Sequence, residues 1–349
     1  MAKSNKKTKA PQFALVGAET LLGRELQEVL ERRNPGITLV PYAASGEGNF
    51  GEEDGEAVYR EALEIQAVRD AQGVLVAGSE AGAAKALRLF HEVNDTASGP
   101  KNILIDCTGQ LDRQPQARIV APLLEHPRPA KPGEVIVLAH PAASALALVL
   151  TRLARHAQLQ RAVVQIFEPA SERGKRGIAE LHQQTTGLLS FKPLDKEVFD
   201  NQLSFNLLAQ YGAEAPEKLS AVERRIEEHL SFLLRGQSSA EAVPMPSLRL
   251  IQAPVFHAYS ISAWVEFTRE VNATELGEAL ASAQIEVRGA EEEAPHGVGA
   301  TSQSGLIAGD IRVDRNDARA AWFWIVGDNL RLTADGVADI LGEIGTDQL

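Results

Sequence analysis

Cysteine is almost missing from this chain: among 349 residues only Cys107 carries a thiol. One cysteine cannot staple a fold, which suits a reducing cytoplasm and a core held by packing alone. Long apolar runs are missing as well, and none nears the ~20 residues that a membrane span requires. Positive charge is in deficit, with 35 Lys plus Arg against 47 Asp plus Glu and a net charge of -12. A net acidic chain with no basic patch in its body repels phosphate backbones, so nucleic acid is not an expected partner. Residues 1–12 hold Lys3, Lys6, Lys7 and Lys9 but no apolar core. They read as a solvated, disordered tail, neither a secretory signal nor a membrane helix.

What remains is ample for two domains, with 44% hydrophobic residues to fill their cores. Phe13 to Val16, Ile37 to Ala43, Val74 to Ala77, Ile103 to Asp106 and Val135 to Leu138 are short apolar strands. Helical periodicity separates the first ones, at Leu22 to Leu30 and Gly82 to Val93. Strands apolar throughout and alternating with helices indicate a parallel sheet covered on both faces. After Pro141 the pattern changes. A helix is expected from about Ser144 to His156, a strand over Ala162 to Phe167, and a charged, Gly-rich loop over Ser171 to Gly177. Helices follow near Ile178 to Leu189 and Ala221 to Leu234, then a polar linker over Gln237 to Pro246. From Ser260 apolar and polar residues alternate, as in a strand with two unlike faces. Gly289 to Gly309 reads as a surface loop, Ile311 to Val313 and Trp322 to Val326 as strands, and Asp335 to Ile344 as a closing helix.

Gly17-Ala-Glu-Thr-Leu-Leu-Gly23 follows the first strand and opens a helix. Such a turn offers free amides to a dinucleotide pyrophosphate, and it equally serves as a tight turn with close helix packing. Thr20 occupies the middle position usually held by glycine; its hydroxyl could donate to a phosphate. The segment after the second strand, Ala44-Ser45-Gly46-Glu47-Gly48, has no cation, and Glu47 would repel a 2′-phosphate. NAD(P) is therefore open as a cofactor with NADP disfavoured, and no metal site is read.

Several segments in order resemble the aspartate-semialdehyde dehydrogenase family. They are Gly17 to Gly23, Ala44-Ser45, Ile105 to Thr108, His140 to Ser144, Glu168 to Leu181, Phe205 to Gln210, Ala253 to Ser260 and Asp328 to Arg331. The resemblance implies a Rossmann-type NAD(P)-binding domain over 13–141, rejoined by a C-terminal helix over 329–349. It also implies an α/β dimerisation and substrate domain over 142–328, with a mixed, largely antiparallel sheet. It further implies a homodimer and a dinucleotide facing Gly17, Glu19, Thr20, Leu21, Leu22, Gly23, Ser45 and Asn329. Family enzymes use a cysteine thiolate and a histidine base to reduce β-aspartyl phosphate with NADPH.

This chain departs at the reacting positions. The nucleophile position falls on Ala143 and the base position on Tyr259. A methyl cannot attack, and a phenol with a reference pKa near ~10 is a poor base. Gln252 stands for an arginine, Leu332-Thr333 for a Lys-Gly pair, and the phosphate-binding arginine falls near Asp112 and Arg113. Glu180 matches a carboxylate that holds the substrate amine, though a helix-surface role fits it equally. Three substitutes are conceivable: Ser144, which otherwise caps a helix; His257, two residues before Tyr259 and so on the same side of a strand; and Cys107, which otherwise is a small buried hydrophobe. The expected function is a family protein without the thiol-dependent reduction, binding a small acidic ligand or a partner as a dimer. The competing readings are an active semialdehyde dehydrogenase or reductase with relocated residues, and a hydrolase or isomerase reusing the pocket.

Overall fold

The computed structural model describes residues 11–53, 56–95, 102–236 and 243–343. These form two compact units: 11–120, 127–138 and 334 onward in the first, 121–126 and 139–333 in the second. Most of the expected tail (1–12), the first six linker residues and the last six of the closing segment lie outside the described residues.

In the first unit the elements run β1 (Gln12–Val16), α1 (Leu21–Arg33), β2 (Thr38–Tyr42), β3 (Asn49–Glu53), β4 (Glu56–Arg60) and α2 (Ile65–Asp70). They continue as β5 (Gly73–Val76), α3 (Glu80–Asn94), β6 (Ile103–Asp106), β7 (Ala117–Val120) and β8 (Val135–Leu138). Six strands pair in the order β2-β1-β5-β6-β8-β7, each pairing parallel. The central strands β1, β5, β6 and β8 are almost wholly apolar because alternate residues serve two cores. Phe13, Leu15, Leu75, Ile105, Ile136 and Leu138 pack with Leu26 and Leu30 of α1. Ala14, Val16, Val76, Leu104 and Val137 pack with Ala83, Ala86 and Phe90 of α3. Each Leu or Phe side chain buried in this way contributes roughly 1.5–3 kcal/mol. Strands β3 and β4 form a separate antiparallel hairpin.

The second unit holds α4 (Pro141–His156), β9 (Leu159–Glu168), a 3-10 turn (Ala170–Arg173), α5 (Gly174–Leu189), α6 (Leu219–Gly236), β10 (Ser247–Gln252) and β11 (Tyr259–Phe267). Next come α7 (Ala273–Leu280), β12 (Ile285–Val287), α8 (Gly297–Ala300), β13 (Leu306–Val313), β14 (Ala320–Gly327) and α9 (Asn329–Glu343). From Ala334 onward α9 belongs to the first unit, where Ala334, Val337 and Leu341 join the core with α1. The second sheet runs β10-β9-β11-β14-β13-β12, with three antiparallel pairings at its centre and a parallel one at each edge. Its alternation is visible in β11, where Ile261, Ala263 and Val265 are buried and Ser260, Ser262 and Trp264 are half-exposed.

The structure corrects several boundaries. The helix after β8 begins at Pro141, three residues before Ser144, because Pro fits a first helical position where no amide partner is needed. The charged stretch over 171–177 is a 3-10 turn leading directly into α5, with Gly174 at φ +63° as the hinge. The stretch 289–309 is only partly loop: it contains α8 and the first half of β13. Among the described residues no helix is long and apolar enough to cross a membrane.

Candidate functional site

Two places carry chemistry, one in each unit. In the first, the glycine turn links β1 to α1. Gly17 has φ +93°, and a Cβ there would lie 2.6 Å from Gly78 N. A Cβ on Gly23 would lie 2.0 Å from Gly17 O. Both glycines are thus demanded by backbone packing alone. Thr20 caps α1, accepting from Gly23 N at 2.9 Å. Its hydroxyl hydrogen is shared between the carbonyls of Gly17 (2.8 Å) and Ala77 (3.0 Å). The expectation that this hydroxyl donates to a phosphate is corrected: it donates inward. Glu19 accepts from Ala44 N at 2.9 Å, tying the turn to the loop after β2. The reading of that loop as uncharged by any cation also changes. Lys85 of α3 reaches in, 2.9 Å from Gly46 O and 2.9 Å from Glu47 Oε1. Ser45 Oγ accepts from Glu47 N at 3.2 Å. Leu21 and Leu22 are half-buried.

In the second unit a buried polar network gathers at the N-terminus of α4 and the start of α5. His140 is the N-cap of α4; its Nδ1 accepts from Ala142 N at 3.3 Å. Its ring is neutral, because burial first and then His229, Arg225 and Arg173 hold its pKa well below the ordinary value. Nδ1 already accepts an N–H, so the ring proton sits on Nε2. Nε2 lies 3.5 Å from Tyr259 Oη. Asn329 and Tyr259 favour the ionised form of the Glu172 carboxyl, which lies within 4.8 Å of a His140 ring nitrogen. Burial, with the Glu168 charge second, lifts the Glu172 carboxyl to about 7.

Glu168 is fully buried and anchors the network from below. Arg173 Nη2 donates to it at 2.8 Å, and Tyr211 Oη lies 3.1 Å away, sharing its one hydrogen with Gln252. Arg173 also pairs with Glu217, and Tyr211 donates to Gln252 Oε1 at 2.6 Å. Gln252 donates to Glu168 O at 2.8 Å, and Ser171 donates to Asn329 Oδ1 at 3.1 Å. One ligand atom each from His140, Glu168 and Glu172 lie within 4.8 Å of one another, a spacing a cation would accept. The arrangement opposes one: Nε2 carries the proton, and the Arg173 guanidinium occupies Glu168.

Residues 150–332 match the family model described as the semialdehyde dehydrogenase dimerisation domain. A USG-1 protein homolog of Pseudomonas aeruginosa is 38% identical over 176 residues, a match spanning about half of each chain (50% and 51%). A USG-1 protein homolog of Azotobacter vinelandii is 28% identical over 95% of this chain and 98% of its own. The solved structure of a probable aspartate-semialdehyde dehydrogenase from Pseudomonas aeruginosa superposes with a TM-score of 0.77 at 27% identity, covering 96% of this chain and 98% of that one. The chain belongs to the aspartate-semialdehyde dehydrogenase family.

Ala143, which the resemblance sets at the nucleophile position, is a fully buried methyl in the first turn of α4. Tyr259 at the base position has its pKa pushed well above 10, first by burial and then by Glu172. The substitutes do not assemble. Ser144 is buried inside the first turn, and the cap is His140, correcting the capping role expected of Ser144. His257 precedes β11 and is separated from it by Ala258 at φ +69°, so the expected shared strand face with Tyr259 does not exist. Cys107 packs in the first core beside Ile105, and burial followed by the Asp106 charge raises its thiol pKa.

Glu180 is buried, not solvated, and its carboxylate accepts the amides of Val198 and Phe199 and the Gln184 side chain. That ties α5 to the loop over 195–199. Arg113 is exposed in the turn after β6. Asn329 sits in the second unit's network beside Ser171 and Glu172. Sequence reasoning missed Glu172, Glu168, His140 and Tyr211 as a unit. Glu172 looked like one more charge in a solvated loop; the signal was the placement of Glu168 and Glu172 around a buried serine.

Proposed function

We propose that this family member does not reduce aspartyl phosphate by the thiol route and instead binds a small acidic ligand as a homodimer. The observation that carries this reading is Ala143, because among the described residues of its unit no cysteine stands in its stead. A thiolate elsewhere is disfavoured by the buried, raised Cys107. Relocated dehydrogenase chemistry would need Ser144 or His257, and neither is disposed to supply it.

A dinucleotide, if used, would set its pyrophosphate on the α1 amides, with Gly17 and Gly23 allowing the approach. The Thr20 hydroxyl would contribute nothing, since it donates to Gly17 and Ala77. A 2′-phosphate would have to displace Glu47 from Lys85, which favours NAD over NADP. For the homodimer, the surface on offer is the outer face of the second sheet. Val163 and Trp322, each 38% exposed, lie there with Trp264 and Trp324.

The test is turnover with aspartate semialdehyde, phosphate and NADP or NAD. No reduced cofactor is expected from the natural chain. Ala143→Cys alone is expected to stay inactive too, because Tyr259 is a far weaker base than histidine. Reproducible phosphate-dependent cofactor reduction by the natural chain would overturn the reading.

A further inference from the structure

We propose that the network at the mouth of α4 is an acid–base site that moves a proton on the carbon next to a carbonyl, with Glu172 as base and His140 and Tyr259 as donors to the carbonyl oxygen. This rests on the reading that the chain takes a small acidic ligand, here one with a carbonyl, and it states what the network does with it.

The geometry is directional. The backbone amide of Ala142 fixes the His140 tautomer, so a neutral imidazole presents Nε2–H. A neutral imidazole can do this task, polarising the carbonyl and holding the developing enolate oxygen through its Nε2–H. Tyr259 Oη lies 3.5 Å from that nitrogen, and a Glu172 carboxylate oxygen lies within 4.8 Å of a ring nitrogen of the same histidine. The two donors and the acceptor thus converge from α4, β11 and the 3-10 turn, three different elements. Asn329 supports Glu172, and the Glu168–Arg173 pair beneath it keeps a second charge locked in place.

The step balances without an oxidant, a phosphate or a dinucleotide. Glu172 takes the proton as the C–H bond breaks. The bonding pair forms C=C, and the carbonyl π pair moves to oxygen, where His140 Nε2–H and Tyr259 O–H hold it. Glu172 then returns its proton to carbon.

The experiment incubates the full chain with aspartate semialdehyde in D2O, with neither phosphate nor dinucleotide, and follows the methylene signal next to the aldehyde by proton NMR. Exchange at least tenfold above buffer is expected. Glu172→Gln should abolish the increment, and Tyr259→Phe should cut it about tenfold while circular dichroism and Tm report an intact fold. If Glu172→Gln does not fold, Tyr259→Phe decides. Exchange at the buffer rate in the natural chain, or unchanged exchange in a folded variant, overturns the proposal. The readout is separate from cofactor reduction, so each reading can fail without the other.

Discussion

Glu172 keeps its proton up to about pH 7 in the folded chain, against an ordinary 4.5 for the carboxyl, because burial and the nearby Glu168 charge penalise its ionised form. A folded pKa raised above the unfolded one means that the native state binds the proton more tightly. Its stabilising contribution is complete below about pH 4.5 and is lost as pH rises through about 7. The loss is on the order of 2–3 kcal/mol across that window. Urea unfolding of the natural chain and of Glu172→Gln at pH 5 and pH 8 checks this. The natural chain should lose more stability than the variant between the two values, and an equal loss in both would contradict the assignment. His140 sets the opposite trend, because it stays neutral in the folded chain while the unfolded histidine takes up a proton below its ordinary 6.5; natural chain and variant both carry it, so it cancels in their difference.

At the scale of single elements, the β1–α1 turn is a fixed piece of backbone packing. Gly23→Ala places a methyl against Gly17 O at 2.0 Å, with backbone on both sides and nothing flexible to yield. We expect a loss of at least about 2 kcal/mol in urea unfolding. Gly36→Ala, with nothing within 4 Å of the added Cβ, should stay within about 0.5 kcal/mol and serves as its control.

Elements with a strong physical signature were the legible ones. The buried parallel strands β5, β6 and β8 are continuous apolar runs, and β11 alternates cleanly. The hairpin β3–β4 was not legible, because it lies outside both large sheets and needs no apolar face. Edge strands β7 and β10 were missed for a related reason: only one of four and two of six positions are buried, so their runs are short and mixed. The site was half legible. Ala143 and Tyr259 could be named from order along the chain, but the His140–Tyr259–Glu172 contact joins residues up to 119 positions apart, and no local spacing encodes it.

For the whole molecule, the second sheet has one face packed by α4, α6 and α7 and another that carries large apolar side chains. Trp264, Trp322 and Trp324 stand there, on adjacent strands β11 and β14, with Phe167 6.0 Å from Trp324. A patch of this kind is what an obligate partner surface requires. Replacing Val163 and Trp322 with Glu should convert the dimer to a monomer in sedimentation velocity, with the circular dichroism spectrum unchanged. A variant that still sediments as a dimer would move the pairing surface elsewhere.

Asp314 Oδ2 accepts the indole N–H groups of both Trp264 and Trp322 at 2.9 Å, and these with Trp324 are all three tryptophans of the chain. The ultraviolet emission of the protein therefore originates from one side of one sheet and is silent about the rest. Dilution past the point of subunit separation would wet these indoles together, so the emission maximum follows association without any attached dye.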